Sequence, residues 1–398
     1  MHKSLRSPLV PLVLAGIVSL YWLINVNTLF GSGSIDSFYH IDLDVYREGG
    51  RALVRGENLY DQGYELSGGF SLPFTYPPFA AALFASLSWL PLPALSVLVT
   101  VASVAALWIS LYAIISRGTD TSQPILWTSW ALLACLATES VTQTLYFGQV
   151  NLLLTAAVVV DCLLVRRRSP WRGVLTGIAM AIKLTPAVFL AVFFVRRDWR
   201  ALATAVATFI SCGLLGFLVA PDSSATYWTS TLRDSTRIGR LEYAGNQSLH
   251  GVLSRIAPEH TDVLWLVGCV LIVAALWWIM EHTASDAVLV LLASSAALLC
   301  SPVSWSHHFT YLSLAAAYLV VQRQWYLAAL AWATLLARGH WLVPHDNQLE
   351  LTWAWWQHVP GNGYFIVTAV LVAASAVASI ASSEQSGSAR RAPLSTTA

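Results

Sequence analysis

Apolar runs of 15 to 23 residues recur along the whole chain, broken by short polar stretches. A bilayer core takes about 20 helical residues to cross, and backbone in hydrocarbon must satisfy its own hydrogen bonds. The runs are continuous rather than alternating, so they predict helices and exclude a barrel of membrane strands. Segments near 8–30, 93–115, 125–138, 151–165, 201–220, 263–280, 284–300, 308–321, 325–342 and 364–382 read as roughly ten full crossings. The first follows His2, Lys3 and Arg6, lacks a small-residue cleavage site and is read as a retained helix. The stretch 78–91 is too short to cross untilted and is expected to pack under the first loop.

Basic residues set the orientation. They cluster at the N-terminus, at Arg117, at Arg166, Arg167, Arg168 and Arg172, at Arg196, Arg197 and Arg200, at Arg323, and at Arg390 and Arg391. The positive-inside rule makes these cytoplasmic and puts both termini inside. Residues 173–195 then carry arginine clusters at both ends, which a single crossing cannot satisfy. Their centre reads AIKLTPAVF, a mid-membrane lysine followed by a helix-breaking proline. That predicts two half-length helices dipping in from the cytoplasmic side, with the broken backbone buried in protein or lining a cavity. The chain is read as one membrane domain, 1–382, followed by a disordered cytoplasmic tail, 383–398.

Composition agrees. Hydrophobic residues make up 56% and charged residues 11%, against about 25% charged in soluble domains, and the mean hydropathy is +0.61. A net charge of +1 implies no nucleic acid or other bulk polyanion as partner. Cys135, Cys162, Cys212, Cys269 and Cys300 all lie in apolar segments without paired spacing, so they read as small buried hydrophobes.

The polar stretches HIDLDVYREGG, FTYPPF, FGQVN, RIGRLEYAGNQSLHG and SPVSWSHHF all fall on the non-cytoplasmic face of this topology. No phosphate-cradling GxxxxGK[ST] or strand-anchored GxGxxG accompanies them. An enzyme on that face has no cytosolic nucleotide sugar to draw on, so its donor would be lipid-linked.

Each candidate has an ordinary reading beside the chemical one. Asp42 and Asp44 form a D-x-D pair that could hold a cation, supply one general base, or simply be loop acids. A monophosphate leaving group needs little charge neutralisation, so one base is the more economical role. His307 and His308 stand where interfacial polar caps are expected, yet adjacent imidazoles can reach a phosphate. Zinc lacks a third ligand at plausible spacing. Lys183 is the strongest residue on physical grounds, since a charge at bilayer depth costs from about 3 kcal/mol upward and normally faces a polar cavity with a partner. Glu139 is either a partner for such a cation or a plain interfacial acid.

Arg233, Arg237 and Arg240 sit on the face that should be poor in arginine. A guanidinium aimed at phosphate would explain them, as would pairing with Asp234 and Glu242. The tryptophan-rich stretch HWLVPHDNQLELTWAWW, within 340–356, could stack on sugar or lie along lipid.

Taken in order, HIDLDVY, LPFTYPPFAA, YFGQVNLLL, AIKLTPA, GNQSLHGVLSRI and SPVSWSHHF resemble the pattern of glycosyltransferase family 87 over about residues 40–320. The resemblance implies an all-α, polytopic GT-C bundle of about 10–12 membrane helices, re-entrant elements included. It further implies an active site at the periplasmic surface of the cell membrane and an acid in the first external loop as base, the matching position being Asp42. Asp44 is not part of that pattern, which argues against a metal pair. Tyr76, Gln149, Asn151, Asn246 and Gln247 lie inside the matching motifs and are site candidates.

Characterised members of the family transfer mannose or arabinofuranose from polyprenyl phosphate, and the nearest likeness is to α-1,2-mannosyltransferases of phosphatidylinositol mannosides and lipoarabinomannan. The expected donor is a polyprenyl-phosphate sugar and the acceptor a mannosylated lipid or lipoglycan, with membrane lipids around them and neither cofactor nor metal. The expected chemistry is a single displacement with inversion. Asp42 takes the acceptor proton, while Lys183, Arg237, His307 and His308 hold the departing phosphate. A lipid or sugar transporter would instead show internal repeats with paired broken helices; one broken helix and no repeat are found.

Overall fold

The computed structural model describes residues 7–25, 39–61, 63–69, 71–234 and 237–391. The described residues form helices joined by compact loops, with one two-stranded hairpin, β1 (Gly63–Glu65) and β2 (Ser71–Pro73), in the first loop. In chain order the helices begin with α1 (Leu9–Asn25), α2 (Ile41–Val54), α3 (Pro78–Ala85), α4 (Leu92–Gly118), α5 (Pro124–Cys135) and α6 (Glu139–Phe147). Next come α7 (Asn151–Leu163), α8 (Val174–Ile182), α9 (Leu190–Val195), α10 (Trp199–Val219), α11 (Pro221–Thr229) and α12 (Leu249–Ile256). The last third holds α13 (Thr261–Glu281), α14 (Asp286–Cys300), α15 (Thr310–Val321), α16 (Trp325–Ala337), α17 (His358–Gly361) and α18 (Gly363–Arg391). The protein is a multi-pass membrane protein: α4, α10, α13 and α18 are each long and apolar enough to cross.

Fewer helices reach full span length than the hydrophobic runs predict. Residues 125–138, expected as one crossing, form the first arm of a pair in which α5 and α6 are bent by 71°. Shorter apolar helices occupy several other expected spans, among them α7, α14 and α15. The reason is that chain breaks at 148–150, 183–184 and 301–309 meet: Asn151 reaches the His307 carbonyl and Lys183, and Lys183 reaches His308. Irregular backbone at that depth survives only inside protein or around a cavity, so helices end where these breaks meet. At the other terminus α18 runs to Arg391, so the start of the expected disordered tail is helical; 392–398 lie outside the described residues.

The arginine clusters that flank 173–195 gather at one end, while the N-terminal basic cluster lies outside the described residues. Asp286, opening α14, pairs with both Arg167, at 3.5 Å, and Arg196. Arg172 and Asp198, from opposite flanks of 173–195, are 3.0 Å apart. The chain therefore leaves and returns at the same end, as the flanking arginines required, and 174–195 is a re-entrant hairpin. Gly173, at φ +99°, lies so close to α10 that a Cβ would collide with the Ala201 carbonyl, and this lets α8 run beside α10. The buried Asp161 carboxylate secures the start of α8 by accepting from the Gly173 and Thr176 amides, at 2.7 and 2.8 Å, and from the Thr176 hydroxyl. The hairpin turns at Lys183, whose backbone is extended (φ −146°, ψ 131°), before a 3-10 turn, Thr185–Phe189, with Pro186 near its start.

The core runs through α4, α7, α14 and α15. On α4 the buried Ser96, Ser103 and Ala106 give a small-residue face that allows close approach of neighbouring helices. At the end away from the arginines, α2 lies against α3, with Gly50 on Phe84 and Ala85, so the short segment 78–85 packs beneath the first loop as expected.

Candidate active site

Asp42 and Tyr46 sit one turn apart on α2 and so share a face. Gly148 ends α6 in the left-handed region at φ +67°, where a Cβ would strike His40 and Leu43. The chain therefore turns tightly against α2 and delivers Gln149 to Asp42. Tyr46 donates to Gln149 Oε1 at 2.8 Å, Tyr76 donates to the same oxygen at 3.1 Å, and the two hydroxyls are 2.8 Å apart. With its oxygen occupied, Gln149 turns its Nε2 to the carboxylate and donates to Asp42 Oδ2 at 2.6 Å.

Lys183 completes the cluster from the turn of the re-entrant hairpin. Its Nζ donates to Asn151 Oδ1 at 3.1 Å, lies 3.4 Å from His308 Nε2, and stands 5.6 Å from the centroid of the Tyr76 ring. Asn151 is held in turn by the His307 carbonyl at 3.4 Å. His308 Nδ1 accepts from the Trp305 amide at 3.2 Å, which fixes the ring. A chamber of about 60 Å³ opens beside Lys183, Asn151 and His308. Burial pushes the Asp42 carboxyl up to about 6, against the Gln149 hydrogen bond and the Lys183 charge, which both pull it down. The carboxylate is thereby a stronger base than an ordinary aspartate, poised near neutral pH.

The other predicted residues divide. Asp44 is buried and points away from Asp42, accepting from the Ser67 amide at 2.7 Å, so the D-x-D pair does not converge on one ligand. Arg237 donates to the Tyr60 carbonyl at 3.0 Å, and Tyr60 donates to the Tyr76 carbonyl at 2.7 Å, which ties the arginine to the loop carrying Tyr76. Its Nε is buried without a partner. His307 turns its ring onto Phe147, centroids 5.2 Å apart, and its Nε2 is likewise unpartnered.

Glu139, read as either a partner for a cation such as Lys183 or a plain interfacial acid, is engaged elsewhere. It accepts from Trp341 Nε1 at 2.6 Å and the Tyr364 hydroxyl at 2.9 Å, with His340 Nε2 at 3.2 Å. Asn246 and Gln247 are saturated by backbone. Asn246 accepts from the Ser248 and Ser304 amides and donates to the Leu241 and Pro302 carbonyls. Gln247 donates to the Ala244 and Gly361 carbonyls. They pin the loop ahead of α12 to the segment bearing His307 and His308, and their side chains have nothing left for substrate. Arg240 pairs with Glu242 at 3.7 Å, the ordinary outcome for that arginine.

Two features escaped sequence reasoning. Tyr46 lies four residues after Asp42, and that spacing was its only available signal. Arg255 is buried, donating to the Glu242, Tyr243 and Asn246 carbonyls and to Asn362 Oδ1. The tryptophan-rich stretch splits by face: Trp353 is buried, whereas Trp355 is 82% exposed.

The profile of glycosyltransferase family 87 matches residues 74–302. A polyprenol-phosphate-mannose-dependent alpha-(1-2)-phosphatidylinositol mannoside mannosyltransferase of Mycobacterium tuberculosis is 37% identical over 82% of this chain and 82% of its own length. The protein of the same description from Mycolicibacterium smegmatis is 35% identical over 82% of this chain and 81% of its own. An alpha-(1->3)-arabinofuranosyltransferase of M. tuberculosis is 29% identical over 38% of this chain and 35% of its own.

Proposed function

The chain belongs to glycosyltransferase family 87, and from that premise we propose that it transfers mannose from a polyprenyl-phosphate donor to a phosphatidylinositol mannoside with inversion, forming an α-(1,2) linkage at the periplasmic face. The observation that carries the proposal is the Asp42 carboxylate, raised in basicity by burial, held by Gln149 and within reach of the charge of Lys183, which with His308 walls a chamber. Mannose is favoured over arabinofuranose because the mannosyltransferase relatives align over most of this chain and the arabinofuranosyltransferase over about a third. The periplasmic assignment rests on the arginine clusters, which share the end opposite Asp42 and by the positive-inside rule face the cytoplasm.

Asp42 takes the proton of an acceptor mannose hydroxyl while that oxygen bonds to the anomeric carbon of a β-linked donor. The bond from that carbon to the phosphate oxygen breaks on the opposite side of the ring, so the configuration inverts. The phosphate leaves with the electron pair and an added negative charge. Lys183 and His308 meet it from the chamber, and Arg237 Nε offers a further donor; fixed positive groups in a partly dehydrated site stabilise that charge most effectively. The test is to incubate the purified protein with radiolabelled β-polyprenyl-phosphate mannose and a phosphatidylinositol mannoside, then determine the linkage in the product. A β-linked product refutes inversion, and absence of transfer refutes the activity. Cysteines placed beside Arg168 and Arg197 should be labelled only from the cytoplasmic side; labelling of both from outside refutes the orientation.

A further inference from the structure

At the arginine end of the bundle α10 begins, at Trp199, and α13 finishes, at Glu281. A cavity of about 650 Å³ opens between them. Its aromatic wall is Phe194, with Trp199 and Trp277 against that ring at 5.0 and 5.3 Å between centroids. Its polar wall is Arg197 and Glu281. The adjacent Arg196 is paired with Asp286, yet Arg197 and Glu281 share a cavity without pairing with each other, and among the described residues neither has an ion pair elsewhere. One Glu281 oxygen accepts from Trp277 Nε1 at 3.0 Å, which holds the carboxylate beside the indole. The helix ends add the same polarity: Arg197 lies just ahead of the first turn of α10, where the dipole is positive, and Glu281 closes the last turn of α13, where it is negative. The cavity thus offers an anion seat on one side and a cation seat on the other.

We propose that this cavity holds the headgroup of a zwitterionic aminophospholipid, with its phosphate on Arg197 and its primary ammonium on Glu281 and the neighbouring indoles. A purely anionic headgroup would satisfy the arginine and be repelled by the carboxylate. A choline headgroup has no N–H to give that carboxylate. A lipid is the occupant, rather than a free phosphate ester, because Phe194 and Trp199 are exposed at the mouth of the cavity and give acyl chains an apolar rim at the membrane boundary. Arg197 lies in the turn joining α9 to α10, one residue before Asp198, which pairs with Arg172 across the foot of the re-entrant hairpin. A bound headgroup therefore braces the hairpin that carries Lys183 at its tip, whichever sugar the protein transfers.

The experiment titrates phosphatidylethanolamine, phosphatidylglycerol and phosphatidylcholine of identical acyl chains into the purified full chain in detergent micelles and reads apparent affinity from thermal stabilisation. The wild type should bind phosphatidylethanolamine about tenfold more tightly than either of the others, the worth of one charge-assisted hydrogen bond. Glu281→Gln, which can still accept from Trp277, should erase the preference over phosphatidylglycerol. Arg197→Gln should weaken phosphatidylethanolamine about tenfold by the same reasoning, whereas Arg200→Gln, at an exposed arginine outside the cavity, should leave the preference in place. A wild type that ranks phosphatidylglycerol first is a general basic surface, and one that does not separate phosphatidylethanolamine from phosphatidylcholine does not read the ammonium; either result overturns the proposal without recourse to a variant. A preference that survives Glu281→Gln overturns it as well. Glycerophosphoethanolamine, the same headgroup without acyl chains, should not stabilise the protein at the lipid's concentration; equal stabilisation by it overturns the assignment to a lipid.

Discussion

Arg172 and Lys183 stand at the two ends of one short helix, one buried and the other half-buried, and their surroundings are opposite. Arg172 is saturated: it pairs with Asp198 and donates to the carbonyls of Asp161, Cys162 and Val165. Among the described residues Lys183 makes its direct contacts with neutral groups, an amide oxygen, an imidazole and an aromatic face, and feels the Asp42 charge only at longer range. Both are costly to desolvate. The first has its charge answered within the protein and so closes a hairpin, whereas the second keeps room for an anion. Burial alone does not separate a structural cation from a working one; the identity of its partners does.

The comparison is tested first at the base that Lys183 serves. Asp42→Asn keeps the shape and the contact with Gln149 but removes the basicity, so transfer should fall about a hundred- to ten-thousand-fold with the unfolding temperature little changed. A variant that keeps most of its turnover would remove Asp42 from the mechanism. Arg172→Met should show the reverse pattern. It strands Asp198 and three carbonyls, and breaking such a buried pair costs about 3–5 kcal/mol, read as lost thermal stability or yield, while the material that folds retains its turnover. Reduced turnover at unchanged stability would abolish the contrast between the two ends.

Lys183→Met should lower kcat/KM by about a hundredfold and weaken binding of polyprenyl phosphate with little loss of fold, because no carboxylate contact is broken. Wild-type donor affinity in this variant would show that the lysine is not a phosphate anchor. The smallest effect is a displacement in pH. Asp42 must be deprotonated to act, so kcat/KM should fall as pH drops through about 6. Gln149→Leu removes a donor that favours the charged carboxylate; the carboxyl then rises further and the acid limb of the profile moves to higher pH. Lys183→Met shifts it in the same direction. A limb that stays in place after loss of Gln149 would show that the amide does not act on Asp42.

The re-entrant hairpin was legible because charge placement is a strong signal: two arginine clusters around a run with a central lysine and proline allow few arrangements. The bend between α5 and α6 was not, since Ala137 and Thr138 carry no breaker and the turn answers to distant packing. Asp42 and Lys183 could be singled out from local context, but the Gln149 link spans 107 positions and the Glu139 pairs with Trp341 and Tyr364 span 202 and 225. Such pairings leave no periodicity in the chain. Asn246 and Gln247 show the converse failure. Polar residues in a motif look the same in sequence whether they meet substrate or, as here, hold two loops together.

The hairpin also sets an order of biogenesis. Arg196 finds Asp286 only 90 residues later, and Lys183 finds His308 only 125 residues later. At synthesis rates of about 5–20 residues per second, His308 follows Lys183 by roughly 6–25 seconds, during which the lysine has its earlier-made partner Asn151 and lacks the imidazole. A chain that ends before residue 308 lacks one wall of the Lys183 chamber, so the chemistry depends on the last third of the protein having been made.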